Sequence, residues 1–174
     1  MRQFSLCAAF VCSMAALALL PAAADTPAAA SAMALTGKMS SMQFLIGSWN
    51  CNVKIAAMQG QPAATATGIV TYSVVPGNAM HSHVTAKEYA SDYYSGYVDK
   101  SKIFWMNTID AYGNSSNETS TDGKVYSGPG MGGGATMQIR DTFSRPTPNT
   151  TRDLQEVQTK GAWHMATDST CTRA

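Results

Sequence analysis

The chain has 174 residues, with 12 Lys and Arg set against 11 Asp and Glu, for a formal net charge of +1. A balance this close to zero leaves no basic stripe to neutralise a phosphate backbone, which excludes nucleic acid as a partner. No amphipathic basic helix marks a protein bound to a membrane surface either. Charged residues make up 13% of the chain, and Thr, Ser, Asn, Gly and Tyr recur throughout, a composition that favours strands over helices.

Residues 1–24 read as a secretory signal peptide. Met1-Arg2-Gln3 is a short basic start, Phe4 to Leu20 is an uncharged apolar run, and Pro21-Ala22-Ala23-Ala24 offers small residues for cleavage before Asp25. The apolar run is short for a membrane span and has no basic flank after Pro21, so no stable membrane insertion is expected once it is removed. The sequence thus predicts an exported protein, periplasmic or secreted. Residues 25–37, rich in Ala, Pro, Thr and Ser, read as a flexible leader. The folded domain is expected over 38–174.

Within that domain Met42, Leu45 and Ile46 fall at helical spacings, which predicts a short helix stopped by Gly47. From Ser48 the period becomes two. The first strand, 48–57, puts Trp49, Cys51, Val53 and Ile55 on one face. Strands follow at 65–75, 79–88, 93–99 and 102–109, separated by turn residues such as Pro76-Gly77-Asn78. A weak strand spans 110–119, and Thr121-Asp122-Gly123 turns the chain into a short strand at 124–127. Gly128 to Gly134 reads as a mobile hairpin loop. Met137, Ile139 and Phe143 then alternate with Gln138, Arg140 and Thr142. The last two strands are expected at 150–158 and 162–172, the final one with Trp163, Met165 and Cys171 on one parity. About ten short strands with turn chemistry between them predict an all-β fold, an antiparallel up-and-down barrel or a sandwich, with a short N-terminal helix.

Two of the four cysteines leave with the signal peptide, so Cys51 and Cys171 remain. In an exported chain two cysteines most simply form one disulfide, the alternative being two buried thiols. If both cysteine-bearing faces point inward, the sulfurs meet at a seam between first and last strands, which selects the closed barrel. The same parity puts Lys54, Arg140 and His164 outside.

His81-x-His83 is the one sharp chemical motif. Two His at i and i+2 on a strand project from one face and form a weak metal candidate, with Glu88, Asp92 or His164 as the third ligand. Two solvated surface histidines are the plainer reading. No nucleophile elbow or catalytic constellation is present, so no cofactor is expected, and an enzyme or metal site at His81 and His83 stays as a third reading of function. Asp110, Glu118 and Asp122 have no telling arrangement. Tyr89, Tyr93, Tyr94 and Tyr97 suit half-buried barrel strands.

The opening Phe44-Leu45-Ile46-Gly47-Ser48-Trp49 resembles that of calycin-type barrels. With Tyr97-Val98-Asp99-Lys100, Ile109-Asp110 and Arg140-Asp141-Thr142-Phe143 in that order, the chain over 40–173 resembles a bacterial family of exported lipocalin-like domains of unknown function. The resemblance implies a ten-stranded barrel, of the lipocalin and fatty-acid-binding-protein kind, with an inner cavity. Haem barrels of the nitrobindin type are a related possibility, but Asn50, Cys51, Asn52 and Val53 stand where their glycines would follow the tryptophan. The expected function is ligand binding: a small apolar ligand in a cavity lined by Trp49, Val53, Ile55, Met137, Ile139, Trp163 and Met165. A structural or envelope-interaction protein with a filled barrel is the alternative.

Overall fold

A computed structural model describes residues 33–57, 62–87 and 89–174. The expected signal peptide, the leader up to residue 32, and Glu88 lie outside the described residues. A 3₁₀ helix, Gly37–Leu45, precedes ten strands: β1 (Gly47–Ile55), β2 (Ala64–Val75), β3 (Ala79–Ala86), β4 (Tyr89–Val98), β5 (Ile103–Asp110), β6 (Ser115–Ser120), β7 (Val125–Gly132), β8 (Ala135–Thr147), β9 (Thr150–Thr159) and β10 (Ala162–Arg173). Each strand pairs antiparallel with its sequence neighbour, and β10 pairs with β1, so the sheet closes into an up-and-down barrel. Closure leaves no strand edge open to another chain. Cys51 lies opposite Cys171 in the closing pair, and the two are joined by a disulfide.

The hairpins follow from local chemistry. Lys160 and Gly161 both take positive φ, as a two-residue turn between right-twisted strands requires. The helix is tighter than an α-helix, and its buried residues, Met39 and Met42, are three apart as that winding dictates. They pack with Leu35, Met80, Phe104, Met106 and Tyr126 and fill one end of the barrel. Leu35, expected in the flexible leader, is therefore part of the core.

Trp49 sits under this cap and is fully buried. Its indole N–H donates to the Leu45 carbonyl at 2.7 Å. The Arg173 guanidinium stacks over the indole at 4.5 Å and donates to the carbonyls of Ile46 and Phe44. Carbonyls at a helix C-terminus lack intrahelical partners. Here the first and last strands supply them, which ties the cap to the barrel seam.

Two expectations need correction. The glycine-rich stretch is not a loop up to Gly134: β7 runs through Gly132, and only Gly133 and Gly134 form the turn. The glycines are required by close approach, because a Cβ at Gly128 would lie 2.0 Å from the Asn117 carbonyl oxygen of β6. At Gly130 a Cβ would lie 2.1 Å from Cδ1 of Ile139. Gly128→Ala is expected to lower stability by about 3 kcal/mol, the upper end for overpacking, because the clash is with backbone. Urea unfolding measures it, and an unchanged midpoint would contradict this strand approach.

The second correction concerns β10. Its pairing with β9 shifts register between Met165 and Thr167, a bulge at Ala166. The bulge reverses the facing of everything before it. Cys171, Ser169 and Thr167 point inward, but Trp163 and Met165 point outward. His164 lies opposite Val157 in the ladder, near the barrel end, and is exposed as expected.

Candidate functional site

Beyond the methionine-rich cap the interior turns polar. Glu118 on β6 and Asp141 on β8 are each 1% exposed, and Asp153 on β9 faces the same space. Each arises from strand alternation. Asp141 shares its face with Ile139 and Phe143, and Glu118 shares its face with Ser116 and Ser120. Ser116 donates to one Glu118 oxygen at 2.6 Å, while the other Glu118 oxygen has no hydrogen-bond partner. Both oxygens of Asp141 and one of Asp153 are also buried with no donor in good hydrogen-bond geometry, although the side chains of Glu118 and Gln155 come close enough to Asp141 to shift its proton affinity. Among the described residues none of the three forms an ion pair.

Burial without a counter-charge penalises the ionised carboxylate. Asp153 is pushed up to about 7, first by desolvation and then by Glu118 and Asp168. Asp141 is raised well above the usual carboxylate range, by desolvation and then by Asp153 and Glu118. Burial likewise raises the phenols of Tyr72 and Tyr93. Tyr72, Tyr93 and Asp153 are half-buried, and with Glu118 and Asp141 they give the inner wall its phenols and carboxyls.

On the outer wall a separate cluster forms. His83 lies directly opposite Asp92 across the β3–β4 pair, and His81 lies diagonally from it. The near nitrogen of His83, Nδ1, is 2.8 Å from Asp92 Oδ1. His81 has farther to reach and uses its outer nitrogen, Nε2, at 2.7 Å. Hydrogen bonds from His83 and then His81 hold the Asp92 carboxyl below its usual range. Tyr94 stacks on the His81 ring at 4.6 Å. Of the expected third partners, Asp92 is brought together with the two histidines, His164 is not, and Glu88 lies outside the described residues.

The seven expected pocket residues separate. Val53 is half-buried on the inner face, and Ile55 continues that face to the barrel end opposite the cap. Met137 and Ile139 pack with Val157 and Ala166 near that same end. Trp49 is enclosed with Cys51, Val70 and Cys171 and presents no surface to a ligand. Trp163 lies outside under the Arg140 guanidinium, 4.4 Å from its ring centre, and Met165 is 41% exposed. Arg140 in turn pairs with Glu156 at 2.7 Å on the same outer wall.

The acidic trio escaped the sequence reading, although one signal was present. Asp141 stands between Ile139 and Phe143 on an otherwise apolar strand face. An acid there is either a register marker or a site. Asp153 carried no such signal, because β9 alternates weakly.

The closed ten-stranded antiparallel barrel is calycin-like in architecture. No protein-family model matches the chain, and no curated protein does.

Proposed function

We propose that this chain is an exported, lipocalin-like binding barrel whose interior takes a small amphiphile with a cationic, hydrogen-bond-donating head. The observation that supports this reading is the set of buried carboxyls at Glu118, Asp141 and Asp153, which have no counter-charge among the described residues and keep four buried oxygens, one of Glu118, both of Asp141 and one of Asp153, without a hydrogen-bond partner. Leaving such groups unpaired costs the fold stability, and a ligand ammonium would return what burial removed. The ligand's apolar part would lie against Val53, Ile55, Met137 and Ile139. The acidic interior thus argues against a purely apolar ligand. Export rests on the pattern of residues 1–24. The Cys51–Cys171 disulfide is compatible with it, as is the lack, among the described residues, of a helix long and apolar enough to cross a membrane.

Octylammonium and octanoate, matched in chain and opposite in charge, test the reading by calorimetric titration. Octylammonium is expected to bind, octanoate is not, and Asp141→Asn should weaken the binding about tenfold or more. Equal binding of both would restore the apolar ligand. Binding of neither would favour the filled barrel, whose solid cap end is already evident in the Met39, Met42, Met80 and Phe104 packing.

A further inference from the structure

The outer-wall cluster is independent of the acidic interior: its residues point the other way from Met80, Ser82 and Val84 on the same strand. Three features set it apart from an ordinary surface ion pair. Two imidazoles and one carboxylate aim single ligand atoms at one point, all within 4.8 Å of one another. Both histidines contact the same oxygen, Asp92 Oδ1, so two donors compete for one acceptor. The scaffold is two paired strands, with Tyr94 stacked on His81, so the ligand atoms are held by sheet geometry and not by a loop.

We propose that His81 Nε2, His83 Nδ1 and an Asp92 carboxylate oxygen form a site for one first-row divalent ion of the Zn²⁺ or Cu²⁺ type. Tetrahedral Zn²⁺ places its ligand atoms about 3.3 Å apart, given metal–ligand bonds near 2.0 Å. The present nitrogen–oxygen distances are 2.7 and 2.8 Å. Admitting the ion moves the Asp92 oxygen about 0.5 Å away from each nitrogen, and the two nitrogens, within 4.8 Å of each other, settle to the same spacing by side-chain torsion. Imidazole nitrogen selects borderline ions over Mg²⁺ and Ca²⁺, which prefer all-oxygen shells. Three protein ligands on an exposed wall leave the remaining coordination to water. Such a site binds and presents an ion; it is not buried enough to lock one in place as a structural zinc.

Tag-free protein stripped with EDTA and titrated with ZnCl₂, CuCl₂ and MgCl₂ in a calorimeter tests the site. One equivalent of Zn²⁺ should bind, and Mg²⁺ should not. His83→Asn and Asp92→Asn should each weaken Zn²⁺ binding more than about tenfold, since even outer-shell partners of metal ligands are worth that much. His164→Asn, which changes the remaining histidine, should leave it intact. The electron paramagnetic resonance spectrum of the Cu²⁺ form should show two imidazole nitrogens. All three substitutions are at exposed or half-buried positions, and circular dichroism confirms that each variant is folded. Absence of stoichiometric Zn²⁺ binding by the parent protein overturns the proposal, and so does unchanged affinity in folded His83→Asn. Neither result bears on octylammonium binding inside the barrel.

Discussion

The melting temperature of this protein is expected to fall as pH rises from 5 to 8, and Asp153→Asn together with Asp141→Asn should abolish most of that fall. In the folded chain Asp153 keeps its proton until about pH 7. In the unfolded chain it loses it near pH 4, the ordinary value for an exposed aspartate. Between those values the folded state holds more protons than the unfolded state, so stability declines as pH rises. Above the folded value the loss is complete and stays constant. The separation corresponds to about 4 kcal/mol at most for Asp153. Asp141 adds to it in the same direction, because burial and its acidic neighbours raise it too.

Carboxylates held below their ordinary range act in the opposite sense. Asp122 is held there by the backbone N–H groups of Val125 and Lys124, Asp168 by Arg152, and Asp92 by its two histidines. Their contributions are present above about pH 4 and are lost only as pH falls below it. Stability should therefore peak near pH 5, on the acid side of the usual optimum. Each asparagine variant keeps the shape of the side chain and removes its ionisation. At pH 8 the double variant should melt higher than the parent by roughly 10 °C, taking 2–4 °C per kcal/mol for a chain of this size. Differential scanning calorimetry across pH measures both effects. A parent melting temperature that is flat between pH 5 and 8 would show that the interior acids are solvated or paired. A variant that gains stability by losing two acids is also the signature of residues kept for binding and not for folding.

The fold was legible because its signals are local. Strand alternation, turn residues and the cysteine count together indicate a closed barrel fastened at Cys51 and Cys171, and Gly47-Ser48-Trp49 marks where helix gives way to strand. What failed depended on contacts between strands. The bulge at Ala166 has no sequence mark, and a single extra residue moved Trp163 and Met165 outside. The β7 glycines read as a loop because glycine has low strand propensity. Their true cause, the close approach of β6 and the side chain of Ile139, lies elsewhere in the chain. The His81, His83 and Asp92 grouping was half legible. Spacing put the two histidines on one face, but only the β3–β4 register chose Asp92. The acidic interior was least legible, because three acids far apart in sequence gain meaning only when the barrel closes.

Reducing Cys51–Cys171, or replacing both with alanine, is expected to cost on the order of 4 kcal/mol of stability. The disulfide joins residues 120 positions apart. A cross-link over so long a loop restricts the unfolded chain strongly, by about 4–5 kcal/mol in the loop-entropy description. Domains of this size are stable by about 5–15 kcal/mol, so the loss is a large share of the total. Other contacts at the seam oppose complete unfolding. Seven residue pairs join β1 to β10, from Trp49–Arg173 to Ile55–Thr167. Arg173 and Trp49 also hold the helix carbonyls from opposite sides of that seam. The reduced protein should therefore still fold, but more slowly, since the longest loop in the chain must close before these contacts form. Guanidinium unfolding with and without reductant gives the equilibrium change, and stopped-flow refolding gives the kinetic one. The two sets of seam contacts predict different outcomes. If the cross-link dominates, the midpoint falls and refolding slows. If the β1–β10 ladder and the Arg173 cap suffice, both remain near the parent values, and Arg173→Ala becomes the more damaging change.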